Sequence, residues 1–209
     1  VTLGKVDYDN CHNILLASSY LHHLGAIEEI EQFLKGGGNL FLLQTLEPDS
    51  HFNVLYRHLG IVNYNDFGVT NGLKMTSNIL LGASDKTFLT SSLNDSSLNV
   101  TLDHQADVYI VSNKNKPILW KAKFGEGQVQ VMNATFLAEK KSRGVLVGML
   151  SLMEDTFIYP IFNSKTFYID DFPAPIAKGR NEIIYNEFKR NLPDFFRNIW
   201  WPDMLKVAS

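Results

Sequence analysis

The chain has 209 residues, 45% of them apolar, with 14 Phe, 8 Tyr and 3 Trp, enough for one generous domain or for one domain and the opening of another. A formal charge of −3 and an isoelectric point near 6.1, with no long basic run, argue against nucleic acid as a partner. A single cysteine, Cys11, excludes an internal disulfide framework and a cysteine-rich zinc site, and no apolar run reaches the ~20 residues of a transmembrane segment.

The chain opens on Val1 and the charged stretch 5–9 with no signal peptide, as expected of a trimmed N-terminus. His12 to Ala17 reads as a short buried strand centred on Ile14-Leu15-Leu16. From Ala26 to Lys35, Ile27, Ile30, Phe33 and Leu34 recur at helical spacing, and Glu28, Glu29 and Glu31 suit the positive end of the helix dipole. Gly36-Gly37-Gly38 ends that helix, because glycine accepts the positive φ of a helix C-terminus. Asn39 to Gln44 is a second apolar run, which completes a βαβ unit whose strands should be parallel and buried on both faces.

A second helix is expected after Pro48, capped by Asp49 or Ser50 and carrying Phe52, Leu55, Tyr56 and Leu59. Residues 61–105 are polar and weakly periodic and read as an insertion of short strands and loops, including Leu73 to Leu81 and Asn99 to Leu102. The sheet should resume at Asp107 to Ser112 and continue as a hairpin, Pro117 to Phe124 and Gln128 to Asn133, turned by Gly125-Glu126-Gly127. A third helix spans Gly144 to Phe157. From Tyr159 the character changes: a connector, a strand at Thr166 to Ile169, a proline-stiffened loop, a helix from Glu182 to Arg190, and the aromatic cluster around Trp200 and Trp201. These elements predict an α/β domain over 1–158 with a mostly parallel sheet flanked by helices, and an incomplete second domain over 159–209.

Asp170 and Asp171 are the most informative pair, because they end an apolar strand, where α/β folds place working groups. Neighbouring side chains of a regular strand diverge, so both reach one site only if the turn into Phe172-Pro173 breaks strand geometry. One aspartate could then hold a divalent metal while the other takes a proton from water; equally, an acidic pair can cap a loop. Trp200 and Trp201 could stack on sugar rings or anchor the segment against a neighbouring layer, and left uncovered they would form an apolar patch suited to a homodimer.

The six histidines, His12, His22, His23, His51, His58 and His104, read as surface or packed residues: His22 and His23 would diverge by about 100° on a helix, and His51 and His58 lie nearly two turns apart. Cys11 precedes its strand, without the Gly-x-Cys-x-Gly character of a nucleophile elbow. Neither glycine cluster opens a helix in the manner of a phosphate-binding loop.

The segment Phe167-Tyr168-Ile169-Asp170-Asp171-Phe172-Pro173 resembles the first motif of the polysaccharide deacetylase superfamily, Thr-Phe-Asp-Asp-Gly-Pro, with Phe172 in place of the glycine and Ile169 in place of the phenylalanine. That resemblance implies Asp170 as general base and Asp171 as metal ligand. A wider stretch, from Tyr109 through Pro117 to Gly127 and on to Trp200-Trp201-Pro202-Asp203-Met204, resembles the bacterial family called domain of unknown function 2194. Its members join a class I glutamine-amidotransferase-like, or flavodoxin-like, α/β domain to a deacetylase-like domain. The resemblance implies an accessory domain lacking its nucleophile, followed by the start of a deacetylase-like (β/α) barrel whose remainder would be its partner. It further implies a polysaccharide or glycan substrate, with Trp200 and Trp201 as candidate substrate contacts, and a periplasmic or extracellular location. Zinc or a similar divalent metal is expected only in the complete protein and none in this chain, because the downstream His-x3-5-His ligands are missing: no histidine follows His104. The alternative is a non-catalytic glycan- or protein-binding module.

Overall fold

The computed structural model describes residues 6–89, 93–139, 142–153, 156–158 and 179–208. The chain divides into two compact units, Val1–Ile161 and Phe162–Ser209.

The first unit is built on a seven-stranded mixed sheet whose strands lie in the order 13–16, 39–42, 127–132, 117–124, 107–111, 73–75 and 87–88. β1 (Asn13–Leu16) and β2 (Asn39–Leu42) pair in parallel, joined by α1 (Ile27–Lys35), as the βαβ pattern predicts. The glycine stop works as expected: Gly37 takes φ of +95°, and the amides of Gly36, Gly37 and Gly38 bond back to Gln32, Leu34 and Phe33. β2 is buried throughout, but β1 alternates, because it is an edge strand covered on one face: Ile14 and Leu16 enter the core while Leu15 is 46% exposed. The expectation of two strands buried on both faces is therefore corrected for β1.

Asp49 caps α2 (Ser50–Leu55), its Oδ1 accepting from the Phe52 amide at 2.7 Å. In the polar stretch that follows, strands do occur at Leu73 and over Asn99 to Leu102 as expected, the first shorter and the second longer, but the long strand from Ile61 is unexpected. The stretch contains β3 (Ile61–Thr70) and β6 (Asp95–Leu102), which form an antiparallel two-stranded ribbon, while β4 (Leu73–Met75) and β5 (Thr87–Phe88) extend the main sheet. Propensity could not find β3, since Asn63, Asn65, Asp66 and Gly68 are poor strand formers; its backbone pairing with β6 holds it extended. β7 (Asp107–Val111), β8 (Pro117–Phe124) and β9 (Gly127–Met132) then run antiparallel, with Phe124 opposite Gly127 across the predicted glycine turn. β9 also pairs in parallel with β2. The sheet is thus parallel over β1, β2 and β9 and antiparallel from β9 to β5, so the expectation of a mostly parallel sheet holds on one side only. α3 (Arg143–Ser151) ends before the predicted Phe157, where the Ser151 hydroxyl takes the Gly148 carbonyl and the Leu152 amide turns back on Leu150 and Met149.

Two cores result. One gathers Ile14, Leu16, Ile30, Leu34, Leu40, Leu42, Phe52, Trp120, Val129 and Val131 beneath α1 and α2. The other gathers Met75, Ile110, Ile118, Met132, Val145 and Met149 beneath α3. Two buried side-chain donors are tied in: Trp120 Nε1 donates to Leu59 O at 2.8 Å, and Gln130 Nε2 to Met149 O at 2.9 Å.

In the second unit the described residues are helical: α4 (Glu182–Phe188), α5 (Leu192–Phe195), a π-turn over Phe196–Trp200, and α6 (Trp201–Ala208). The asparagines Asn181 and Asn191 cap the first two through their side-chain oxygens. No helix among the described residues is long and apolar enough to cross a membrane.

At Gly127 an added Cβ would sit 2.3 Å from Gly38 O and 2.4 Å from Leu34 O, both backbone atoms. Gly127→Ala should therefore push α1 off the β8–β9 hairpin and cost about 1–3 kcal/mol or more, read as a lower urea midpoint. An unchanged midpoint would show that this close approach is not needed.

Candidate functional site at the strand ends

Because β1 and β2 are parallel, the segments leaving their C-terminal ends lie side by side, the edge at which α/β sheets collect functional groups. The Leu43 amide bonds to Leu16 O, and the Glu47 amide to Ser19 O at 2.8 Å, so the two exits are laced together. A 3-10 turn, Leu21–Leu24, buries its two leucines and leaves His22 and His23 outside.

Asp49 organises this edge. Its Oδ2 accepts from the His22 amide at 3.2 Å and lies 2.9 Å from His22 Nδ1, while Oδ1 serves the α2 cap. An ionised carboxylate only accepts, so the proton of this contact sits on His22 Nδ1, and the ring turns its other nitrogen, Nε2, away from Asp49. Burial pushes the Asp49 carboxyl up, but the Phe52 amide and the His22 ring and amide outweigh it and hold the group below its ordinary value. Ser18 Oγ accepts from the Tyr20 amide and lies 2.6 Å from His23 Nδ1. His51 Nε2 donates to Gly25 O at 2.9 Å. The ring centroids of His22 and His23 are 4.4 Å apart, edge to face, with His51 6.3 Å and Tyr20 5.5 Å from His22.

The expectation that adjacent His22 and His23 point apart is thereby corrected: in the tight turn both rings fold toward one another. The arrangement supplies an oriented imidazole backed by a carboxylate, able to accept a proton from a polar ligand. Among the described residues no three His, Cys, Asp or Glu side chains converge to hold a metal ion. His58, in contrast, is structural, bonded to Glu31 at 3.1 Å and stacked on Phe124 at 3.8 Å.

Of the residues singled out from sequence, Asp170 and Asp171 lie outside the described residues, as does the strand expected at Thr166 to Ile169. Trp200 closes the π-turn with its ring edge-on to Phe196 at 5.5 Å, and Trp201 opens α6, its ring 6.2 Å from that of Trp200 and its surface 40% exposed. Cys11 is exposed in the coil before β1. Sequence reasoning passed over the His22–Asp49 pair, although each residue closely follows a strand of the predicted βαβ unit, and that position was the available signal.

The fold defines an α/β protein with a mixed sheet and a histidine-lined strand edge. The chain belongs to the bacterial family described as "Uncharacterised protein conserved in bacteria (DUF2194)", whose profile matches residues 83–209, more than half of its length. Among solved structures it is similar to the "Cytoplasmic Protein STM1381" of Salmonella typhimurium LT2 at 13% identity and a TM-score of 0.53, covering 69% of this chain and 72% of that one. It is also similar to the "Cytoplasmic Protein STM3548" of Salmonella typhimurium, at 18% identity and a TM-score of 0.47, covering 61% of this chain. A third similarity is to the exo-β-1,4-mannosidase Op5Man5 of Opitutaceae bacterium strain TAV5, at 15% identity and a TM-score of 0.42, covering 67% of this chain. The chain spans 59% of the STM3548 protein and 24% of the mannosidase. At these identities the likeness is one of fold. No curated protein sequence matches the chain.

Asp49→Asn tests the pair without removing the helix cap. A carboxyl held below its ordinary value contributes stability above about pH 3.9, lost as pH falls through the lower folded value. The variant should be about 1 kcal/mol less stable at pH 7 by urea unfolding, with the gap closing as pH falls below the ordinary carboxylate value. A gap that is constant with pH would show that the charge on Asp49 contributes nothing.

Proposed function

We propose that the chain is the accessory α/β unit and first catalytic segment of a metal-dependent polysaccharide or glycan deacetylase. The observation carrying this reading is the Ile169-Asp170-Asp171-Phe172-Pro173 segment, which falls inside the stretch matched by the family profile. In this reading Asp171 is a metal ligand and Asp170 the general base, which accepts the proton of the water that attacks the acyl carbon. The donor set fits in kind: carboxylate oxygen suits a divalent metal, and one aspartate supplies one ligand of several, the others coming from the full-length protein. A metal held there would supply Lewis acidity to the water and the acyl carbonyl.

The α/β unit takes a different part. Cys11 lies in the coil before its strand, away from any strand-to-helix elbow, so the cysteine chemistry of the amidotransferase layout has no support. The strand-end edge, with His22, His23 and Tyr20 exposed, favours a second reading of this unit as a glycan- or protein-binding module. The two readings are compatible within one protein. Trp200 and Trp201 are assigned as secondary glycan contacts, supported by the exposure of Trp201.

The deciding measurement is metal content and acetate release from acetylated oligosaccharides by the full-length protein. Asp171→Ala should lose both, whereas Asp170→Asn should keep the metal and lose activity by about 10²-fold or more. A folded protein with no metal and no turnover, or full activity in Asp170→Asn, would overturn the deacetylase reading.

A further inference from the structure

β3 carries a second feature, on the ribbon rather than at the histidine edge. Its pairing with β6 slips between Asn65, opposite Asn99, and Phe67, opposite Leu98, leaving Asp66 as the extra residue of a β-bulge. A bulge interrupts the alternation of side chains and re-aims them. Here the consecutive residues Tyr64, Asn65, Asp66 and Phe67 all line one open cavity of about 370 Å³, completed by Pro48 and Leu98. That volume lies within the roughly 300–1,000 Å³ range of small-molecule sites.

The walls are braced before any ligand arrives. Tyr64 Oη donates to Asn53 Oδ1 at 2.6 Å, and its ring stands edge-on to Phe52 and Tyr56. The peptide oxygen of Asp66 accepts from Asn99 Nδ2. Leu98 is clamped by Asn133, whose Oδ1 accepts the Leu98 amide at 2.9 Å and whose Nδ2 donates to the Leu98 carbonyl at 2.8 Å. The working groups stay open: among the described residues neither the Asn65 amide nor the Asp66 carboxylate has a side-chain hydrogen bond or ion pair, and Phe67 is 39% exposed.

We propose that this groove is a subsite for a neutral saccharide ring. An exposed phenyl face beside a proline takes the apolar C–H face of a pyranose, whose removal from water drives the contact. A carboxylate accepts from vicinal hydroxyls in bidentate fashion, and an amide both donates to and accepts from them. The charge of Asp66 repels phosphates and other anions, a nucleic-acid backbone included. Bracing by Asn53, Asn99 and Asn133 lowers the ordering cost of binding. This inference rests on the binding-module reading of the α/β unit and is independent of Asp170 and Asp171.

The test is calorimetric titration of the full chain with neutral cello-, manno- and N-acetylglucosamine oligosaccharides, beside Phe67→Ala and Asp66→Asn. At least one series should bind with a Kd of about 1 mM or tighter. Phe67→Ala should weaken binding about tenfold and Asp66→Asn severalfold, with thermal unfolding unchanged, while Asp171→Ala leaves binding intact. No heat with any series at concentrations of about 10 mM, or equal affinity in both groove variants, would overturn the subsite. Loss of binding in Asp171→Ala alone would move it elsewhere and overturn it too. Binding that persists in a protein without acetate release would separate this subsite from the fate of the deacetylase reading.

Discussion

β9 bonds in parallel to β2 on one edge and antiparallel to β8 on the other, and so joins two halves of the sheet that would otherwise be separate. Val129, Val131 and Met132 on it are fully or almost fully buried, and they serve both cores, the first two under α1 and α2 and the last under α3. Glycines make the junction possible. With no side chain at Gly127, the turn of the hairpin meets the backbone of Leu34 and Gly38 directly, and the C-terminus of α1 closes on it. A strand from residue 127 thereby pairs with one from residue 39, which carries a loop-closure entropy cost.

Everything at the strand-end edge inherits its position from this junction. β9 fixes β2, β2 fixes β1, and the parallel register brings the exits of β1 and β2 together. Asp49 then does two things with one carboxylate, capping α2 and orienting His22. At the end of β9, Asn133 reaches across to Leu98 and holds the ribbon with a donor and an acceptor, much as a neighbouring strand would. The histidine edge and the bulged groove are thus anchored to the same short set of strands, although their chemistry differs.

Much of this was legible in the residues. Ile27, Ile30, Phe33 and Leu34 announce α1, Gly36 to Gly38 announce its end, Asp49 announces the cap of α2, and Gly125-Glu126 announces the hairpin. Each of these is local chemistry, read within a few residues. β3 was not legible in the same way, because Asn63, Asn65, Asp66 and Gly68 favour turns and only the ladder to β6 holds them in a strand. Nor was the mixed character of the sheet, since strand direction depends on which distant segment supplies the partner.

The sequence by itself determined the βαβ opening, the hairpin, the caps and the family resemblance through Trp200 and Trp201, because these rest on periodicity, glycine conformation and motif. Tertiary structure alone decided that β9 lies beside β2, and that His22 and His23 turn their rings together over Asp49. It also decided that, around a one-residue bulge at Asp66, four neighbouring residues line a common cavity. The physical reason is the same in each case: contacts between residues tens of positions apart are set by register and packing, which no local pattern records.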